Sequence, residues 1–183
     1  QSVIKHLLRP NVPTGGVVVE IGPGAGRWTD ELQKLAKSLT GIDISEACVR
    51  ECQRRFARCD NVEFRVGSGS DLSGVESNFV DAIWSFDVFV HINKAQLQCY
   101  AAEFARVLKP GGRGVIQHGA VAGASGGWRS NVTAQDFRDL LTRAGLEVVD
   151  QIASWRDDGR EFEAGLYGDV ATIFRRPVAA RLR

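Results

Sequence analysis

A run of β-branched residues, Val17-Val18-Val19-Glu20-Ile21, passes directly into Gly22-Pro23-Gly24-Ala25-Gly26. Helical spacing follows from Arg27 to Ser38, where Trp28, Leu32, Leu35 and Leu39 share one face. A buried strand, a bare-backbone turn and a helix in immediate succession leave few architectures open. Alternating glycines permit a tight turn and let a ligand approach the main chain without interference from Cβ atoms. The free amides of the next helix face that ligand. In open α/β sheets this place, beyond the carboxyl end of a strand, is where ligands bind.

The rest of the chain repeats the alternation. Further strands are predicted at Leu39–Ile44, Val62–Val66, Val80–Phe86, Gly114–Gln117, Leu146–Ala153 and Asp169–Arg175. Helices are predicted at Ser2–Arg9, at 46–58 behind the cap Ser45, at 94–108, and from the cap Thr133 to Ala144. Lys109-Pro110-Gly111-Gly112 and Gly145 are stop signals. A polar loop spans 67–78, and 119–131 is the longest irregular stretch. Strands alternating with helices imply βαβ units and a mostly parallel sheet covered on both faces.

With 183 residues and no internal repeat, the expectation is a single domain, 1–183, with a short N-terminal helix. Lys plus Arg is 23 and Asp plus Glu is 22, a formal net charge of +1. That balance argues against a surface built to hold a nucleic-acid backbone, where cationic contacts to phosphates dominate. No apolar run approaches the ~20 residues needed to span a bilayer, and the N-terminus lacks a signal-peptide pattern. Cys48, Cys52 and Cys59 cluster in one helical stretch, Cys99 stands apart, and no C-x-x-C pair is present. Reduced thiols in a cytoplasmic protein, without a metal site, are the expectation. The basic residues of the C-terminal tail, Arg175 to Arg183, read as a solvated end.

The turn itself discriminates between ligands. A dinucleotide fingerprint is G-x-G-x-x-G with a pyrophosphate on the helix N-terminus. Here the pattern is G-x-G-x-G, and Arg27 stands where the third glycine would fall. Glu20, two positions before the first glycine, would repel a pyrophosphate and suits a cationic group. About twenty residues on, Asp43 closes the second strand, where an acid accepts ribose hydroxyls. A ribose, a cation and no phosphate describe S-adenosylmethionine.

On these residues the chain resembles the class I, Rossmann-like S-adenosylmethionine-dependent methyltransferases over about 17 to 175. The resemblance rests on the loop Glu20 to Gly26, on Asp43, and on Val107-Leu108-Lys109-Pro110-Gly111-Gly112 in that order. It implies a doubly wound, seven-stranded, mostly parallel sheet with an antiparallel last strand. It also implies that Glu20, Gly22, Gly24 and Gly26 wrap the methionine part of the cofactor, Asp43 holds the ribose and Ile44 lies against the adenine. Ser68 and Gly69 fall beside the adenine; either Ser68 or Asp71 makes the polar contact to its amine. Ser85 and Phe86 through His91 match the stretch that lines the methyl-transfer face.

Methyl transfer to a small molecule, most readily a hydroxyl oxygen, then calls for a base near that face. His118, His91 and Asp87, after the fifth and fourth predicted strands, are the candidates in that order. Trp128 and Arg129 in the 119–131 loop, and residues 154–168 with Trp155, Arg156, Asp157, Asp158 and Tyr167, are expected to close over the acceptor. The competing readings are a non-catalytic module that binds the same cofactor, a C- or N-methyltransferase of the same fold, and a nicotinamide dehydrogenase. The glycine spacing and Glu20 speak against the last.

Overall fold

A computed structural model describes residues 1–121 and 129–178. Its main sheet has seven strands: β1 (Val17–Ile21), β2 (Ser38–Asp43), β3 (Val62–Val66), β4 (Val80–Ser85), β5 (Leu108–His118), β6 (Glu147–Ile152) and β9 (Val170–Arg175). Their order is β3-β2-β1-β4-β5-β9-β6. The β1–β2, β1–β4, β2–β3 and β4–β5 pairings are parallel, and β9 runs antiparallel to both β5 and β6. The strand order reverses between β1 and β4, so the crevice at that switch point lies directly beyond the glycine turn.

Among the described residues, four α-helices cover the sheet: α1 (Thr29–Leu35), α2 (Glu46–Arg55), α3 (Lys94–Val107) and α4 (Ala134–Arg143). Strand alternation divides the core between the two faces. Val19 and Ile21 of β1 join Leu97, Phe104 and Phe137 of α3 and α4. Val18 joins Leu7, Leu8, Trp28 and Leu32 on the other face. Capping boxes start α3 at Asn93 and α4 at Thr133, satisfying amides that have no partner within the helix.

Several segments differ from the sequence expectation. Residues 27–38 give a shorter α1, because Ala36 turns extended (ψ 141°) to deliver Ser38 into β2. The fifth strand begins six residues early, at Leu108. Val80 pairs with Leu108 and Ala82 with Arg113, so Lys109–Gly112 forms a bulge within β5, directly after the preceding helix stops at Val107 as the stop signal predicts. The 154–168 segment contains a hairpin, β7 (Ser154–Asp157) and β8 (Arg160–Glu163). The predicted N-terminal helix is present, with Ile4–Leu8 wound as a π-helix. No helix among the described residues is long and apolar enough to cross a membrane.

Candidate cofactor site

The turn after β1 is fixed at both ends. The Gly22 amide donates to the Ile42 carbonyl at 2.8 Å. The Gly24 amide donates to Oδ2 of Asp43 at 3.1 Å, while the Ser45 amide donates to its Oδ1 at 2.9 Å. Asp43 is thus oriented by two backbone donors, and each oxygen keeps a further lone pair for a ligand. Gly22 and Gly24 take left-handed φ values of +70° and +55°. A Cβ at Gly22 would lie 2.2 Å from Cγ2 of Val88, whereas one at Gly24 would meet nothing within 4 Å. The first glycine therefore permits close packing and the second presents open backbone.

Beside this turn lies a cavity of about 380 Å³, lined by Gly22, Asp43, Ile44, Ser68 and Gly69. Asp87, Val88, His91, Ile92, Gln96 and Tyr100 also line it. Its size falls within the ~300–1,000 Å³ usual for small-molecule sites. Ile44 is 70% exposed at the rim, a large apolar side chain with no core to join. Ser68 donates to Oδ2 of Asp71 at 2.7 Å, and bonds from Ser73 and Ser68 hold the Asp71 carboxyl down at about 2. Ser68 faces the cavity, and Asp71 is not among its lining residues.

Behind the turn sits Glu20, 1% exposed. Thr29 donates to its Oε2 at 2.5 Å, and its Oε1 has no partner among the described residues. Burial pushes Glu20 up to about 7, the Thr29 bond opposes this, and nearby Asp43 adds to it. Cys52 donates to the Gly24 carbonyl at 3.2 Å, and burial, then Glu20 and Asp43, raise its thiol to about 11. Two carboxylates, Asp43 and Glu20 with its orphaned acceptor oxygen, flank the half-buried backbone at Gly24. That donor set fits a cationic, ribose-bearing group and disfavours a pyrophosphate.

Only some of the residues singled out from sequence line the cavity. Gly22, Asp43, Ile44, Ser68, Gly69, Asp87 and His91 share the cavity wall. Glu20, Gly24 and Gly26 form and back the turn without lining the cavity. Ser85 is fully buried, donating to the Ile21 carbonyl at 2.8 Å. Phe86 packs with Trp28 and Trp84 at ring distances of 5.1 and 6.0 Å, on the face opposite the cavity.

His118, the first-ranked base, is corrected by the structure. Its ring is 0% exposed, Nδ1 lies 2.6 Å from the Gly119 carbonyl, and Nε2 lies 2.7 Å from Oγ1 of Thr172. It packs edge-on against Phe137, and burial lowers it to about 4. Both nitrogens are engaged away from the cavity, so it has no lone pair to offer an acceptor.

The expected acceptor lid also changes character. Trp128 lies outside the described residues, and Arg129 is 7% exposed in an ion pair with Asp169. Trp155 donates to Ser2 Oγ at 2.7 Å, and Asp157 pairs with Lys5, so the hairpin is clamped to the N-terminal segment. The wall residues Ile92, Gln96 and Tyr100 were missed from sequence. Gln96 and Tyr100 stand four apart on α3, a spacing that places them on one face.

Comparison with known proteins agrees with this geometry. A family model described as a methyltransferase domain matches residues 18–112, from β1 to the bulge of β5. A demethylmenaquinone methyltransferase of Tropheryma whipplei is 36% identical over 105 residues, covering 57% of this chain and 42% of that protein. A ubiquinone biosynthesis O-methyltransferase of Xanthomonas axonopodis pv. citri is 26% identical over 102 residues, 55% of this chain and 42% of that protein. The chain thus spans less than half the length of these curated relatives. The solved structure of a TehB-like SAM-dependent methyltransferase from Corynebacterium glutamicum superposes with a TM-score of 0.69 at 25% identity, over 90% of this chain and 82% of that one. With its sheet order, its glycine turn and its acid at the end of β2, the chain belongs to the Rossmann-like S-adenosylmethionine-dependent methyltransferases.

Proposed function

We propose that the chain, acting as a single domain, transfers the methyl group of S-adenosylmethionine to a hydroxyl oxygen of a small molecule. The observation that carries the proposal is one cavity lined by Asp43 and also by Asp87 and His91. Asp43 accepts the ribose hydroxyls with its spare lone pairs, and Ile44 covers the adenine. Ser68 and Gly69 border the adenine edge. The open backbone at Gly24 and the carboxylate of Glu20 receive the cationic methionine part.

The bound cofactor supplies a methyl carbon already activated by a positively charged sulfur. The chain's own contribution is to hold the acceptor in line and to exclude water. His91 accepts the hydroxyl proton, and Asp87 lies on the same wall. The +1 net charge favours a small molecule over a polyanion. The name of the Xanthomonas relative, an O-methyltransferase, supports oxygen as the acceptor.

The test is transfer of a labelled methyl group to a panel of hydroxyl, amine and carbon-acid acceptors. Label in a hydroxyl compound is expected. Label only in amines or carbon acids overturns the choice of oxygen. Tight cofactor binding with no transfer to any class makes the chain a binding module instead.

A further inference from the structure

Asp87 is a non-glycine residue with φ +64°, in the left-handed region that L side chains rarely enter, and it lines the cavity. Its amide donates to Oε1 of Gln117 at 2.9 Å. Gln117 is fully buried, and its Nε2 donates to Oδ2 of Asp169 at 2.9 Å. Oδ1 of Asp169 receives the Arg129 guanidinium, with the two side chains 4% and 7% exposed. A primary amide is the side chain that joins a backbone donor at one end to a carboxylate at the other. We infer that Gln117, Asp169 and Arg129 form a buried relay that holds Asp87 in its left-handed conformation and thereby shapes the cavity wall from the segment after β5.

Three observations support more than packing. A buried ion pair is a poor source of stability compared with apolar residues of the same volume, so its place demands another account. The same segment also grips the wall by a second route: Ser130 donates from its amide to the Val90 carbonyl at 2.7 Å and from Oγ to the Ile92 carbonyl at 2.6 Å. These bonds bracket His91. At its far end the relay reaches Tyr167, whose ring lies 4.8 Å from Cζ of Arg129. The segments on either side of the relay thus report to Asp87 and His91 together. Gln117, Asp169 and Arg129 are positioning residues, since none of them lines the cavity.

The inference rests on the cavity being the cofactor site, so its test has one arm that needs no cofactor. Amide hydrogen exchange at residue 87 is measured by NMR in the wild type and in Gln117→Leu. The relay predicts exchange at least tenfold faster in the variant, and unchanged exchange overturns it.

The second arm is a double-mutant cycle read by calorimetry with S-adenosylhomocysteine. Gln117→Leu is expected to weaken binding about tenfold alone, and less than twofold in the Asp87→Gly background, because glycine holds a positive φ without the bond. Equal losses in both backgrounds overturn the relay. The exchange of amide and carboxylate in Gln117→Glu/Asp169→Asn keeps every donor matched to an acceptor. It is expected to restore affinity to within twofold and serves if Gln117→Leu does not fold. A folded exchange variant that stays tenfold weak overturns the relay. Absence of any heat in the wild type sinks the cofactor reading and leaves the exchange arm to decide the relay.

Discussion

The Gly24 amide and Oδ2 of Asp43 are joined across 3.1 Å, so the turn after β1 and the end of β2 are held as one unit. The Ser45 amide takes the other oxygen. Asp43→Asn leaves one of these two donors facing an NH₂ group. The expected cost is about 1–3 kcal/mol of stability, together with at least a tenfold loss of affinity for an adenosine-containing ligand. Urea denaturation and calorimetry on the same preparation check both.

The two glycines of the turn differ in what a methyl group would meet. Gly24→Ala places alanine at φ +55° in open space, a strain of about 1–2 kcal/mol. Gly22→Ala adds a 2.2 Å clash with Val88, a cavity-wall residue, and should be the more damaging to binding. Equal affinity losses in the two variants would contradict the close packing of Val88 on the turn.

Glu20 makes stability depend on pH with a defined sign. It titrates at about 7 when folded, against 4.5 for the free group. Between those values the folded chain binds a proton that the unfolded chain does not. The stabilisation is complete below pH 4.5 and is lost as pH rises through 7. The span corresponds to about 3 kcal/mol. Glu20→Gln should therefore be more stable than wild type at pH 8 and similar near pH 4.5, and should bind S-adenosylmethionine more weakly. Denaturation curves at both pH values check the first, and calorimetry the second.

The two candidate histidines, His118 and His91, are expected to divide between structure and chemistry. His118→Ala removes a ring packed on Phe137 and the partner of Thr172 Oγ1, at about 2–4 kcal/mol. Its folded fraction should turn over within threefold of wild type. His91→Ala, at an exposed position, should stay folded and lower turnover at least tenfold. The reverse pattern would return the proton-accepting role to His118.

Much of this was legible in the chain because it depends on local chemistry. The strand, the alternating glycines, Asp43 and the cap Ser45 each act within a few residues of their neighbours. The direction of a side chain at a strand end is settled by what packs across the sheet. His118 stands at the end of β5 as expected, yet Phe137 and Thr172 draw its ring into the core. Phe86 could have been placed correctly, since the alternation that buries Trp84 puts both on one face. The β7–β8 hairpin also carried a signal: Asp158-Gly159, both at positive φ, is a two-residue turn between short alternating strands. The Gln117–Asp169–Arg129 chain had none, because its members meet only after β5 and β9 pair.

Isothermal titration of the whole chain with S-adenosylmethionine and with S-adenosylhomocysteine addresses the central claim most directly. Saturable heat at one site, abolished in Asp43→Ala while the variant stays folded, is the predicted result. No heat with either compound, from protein shown to be folded, would contradict the account.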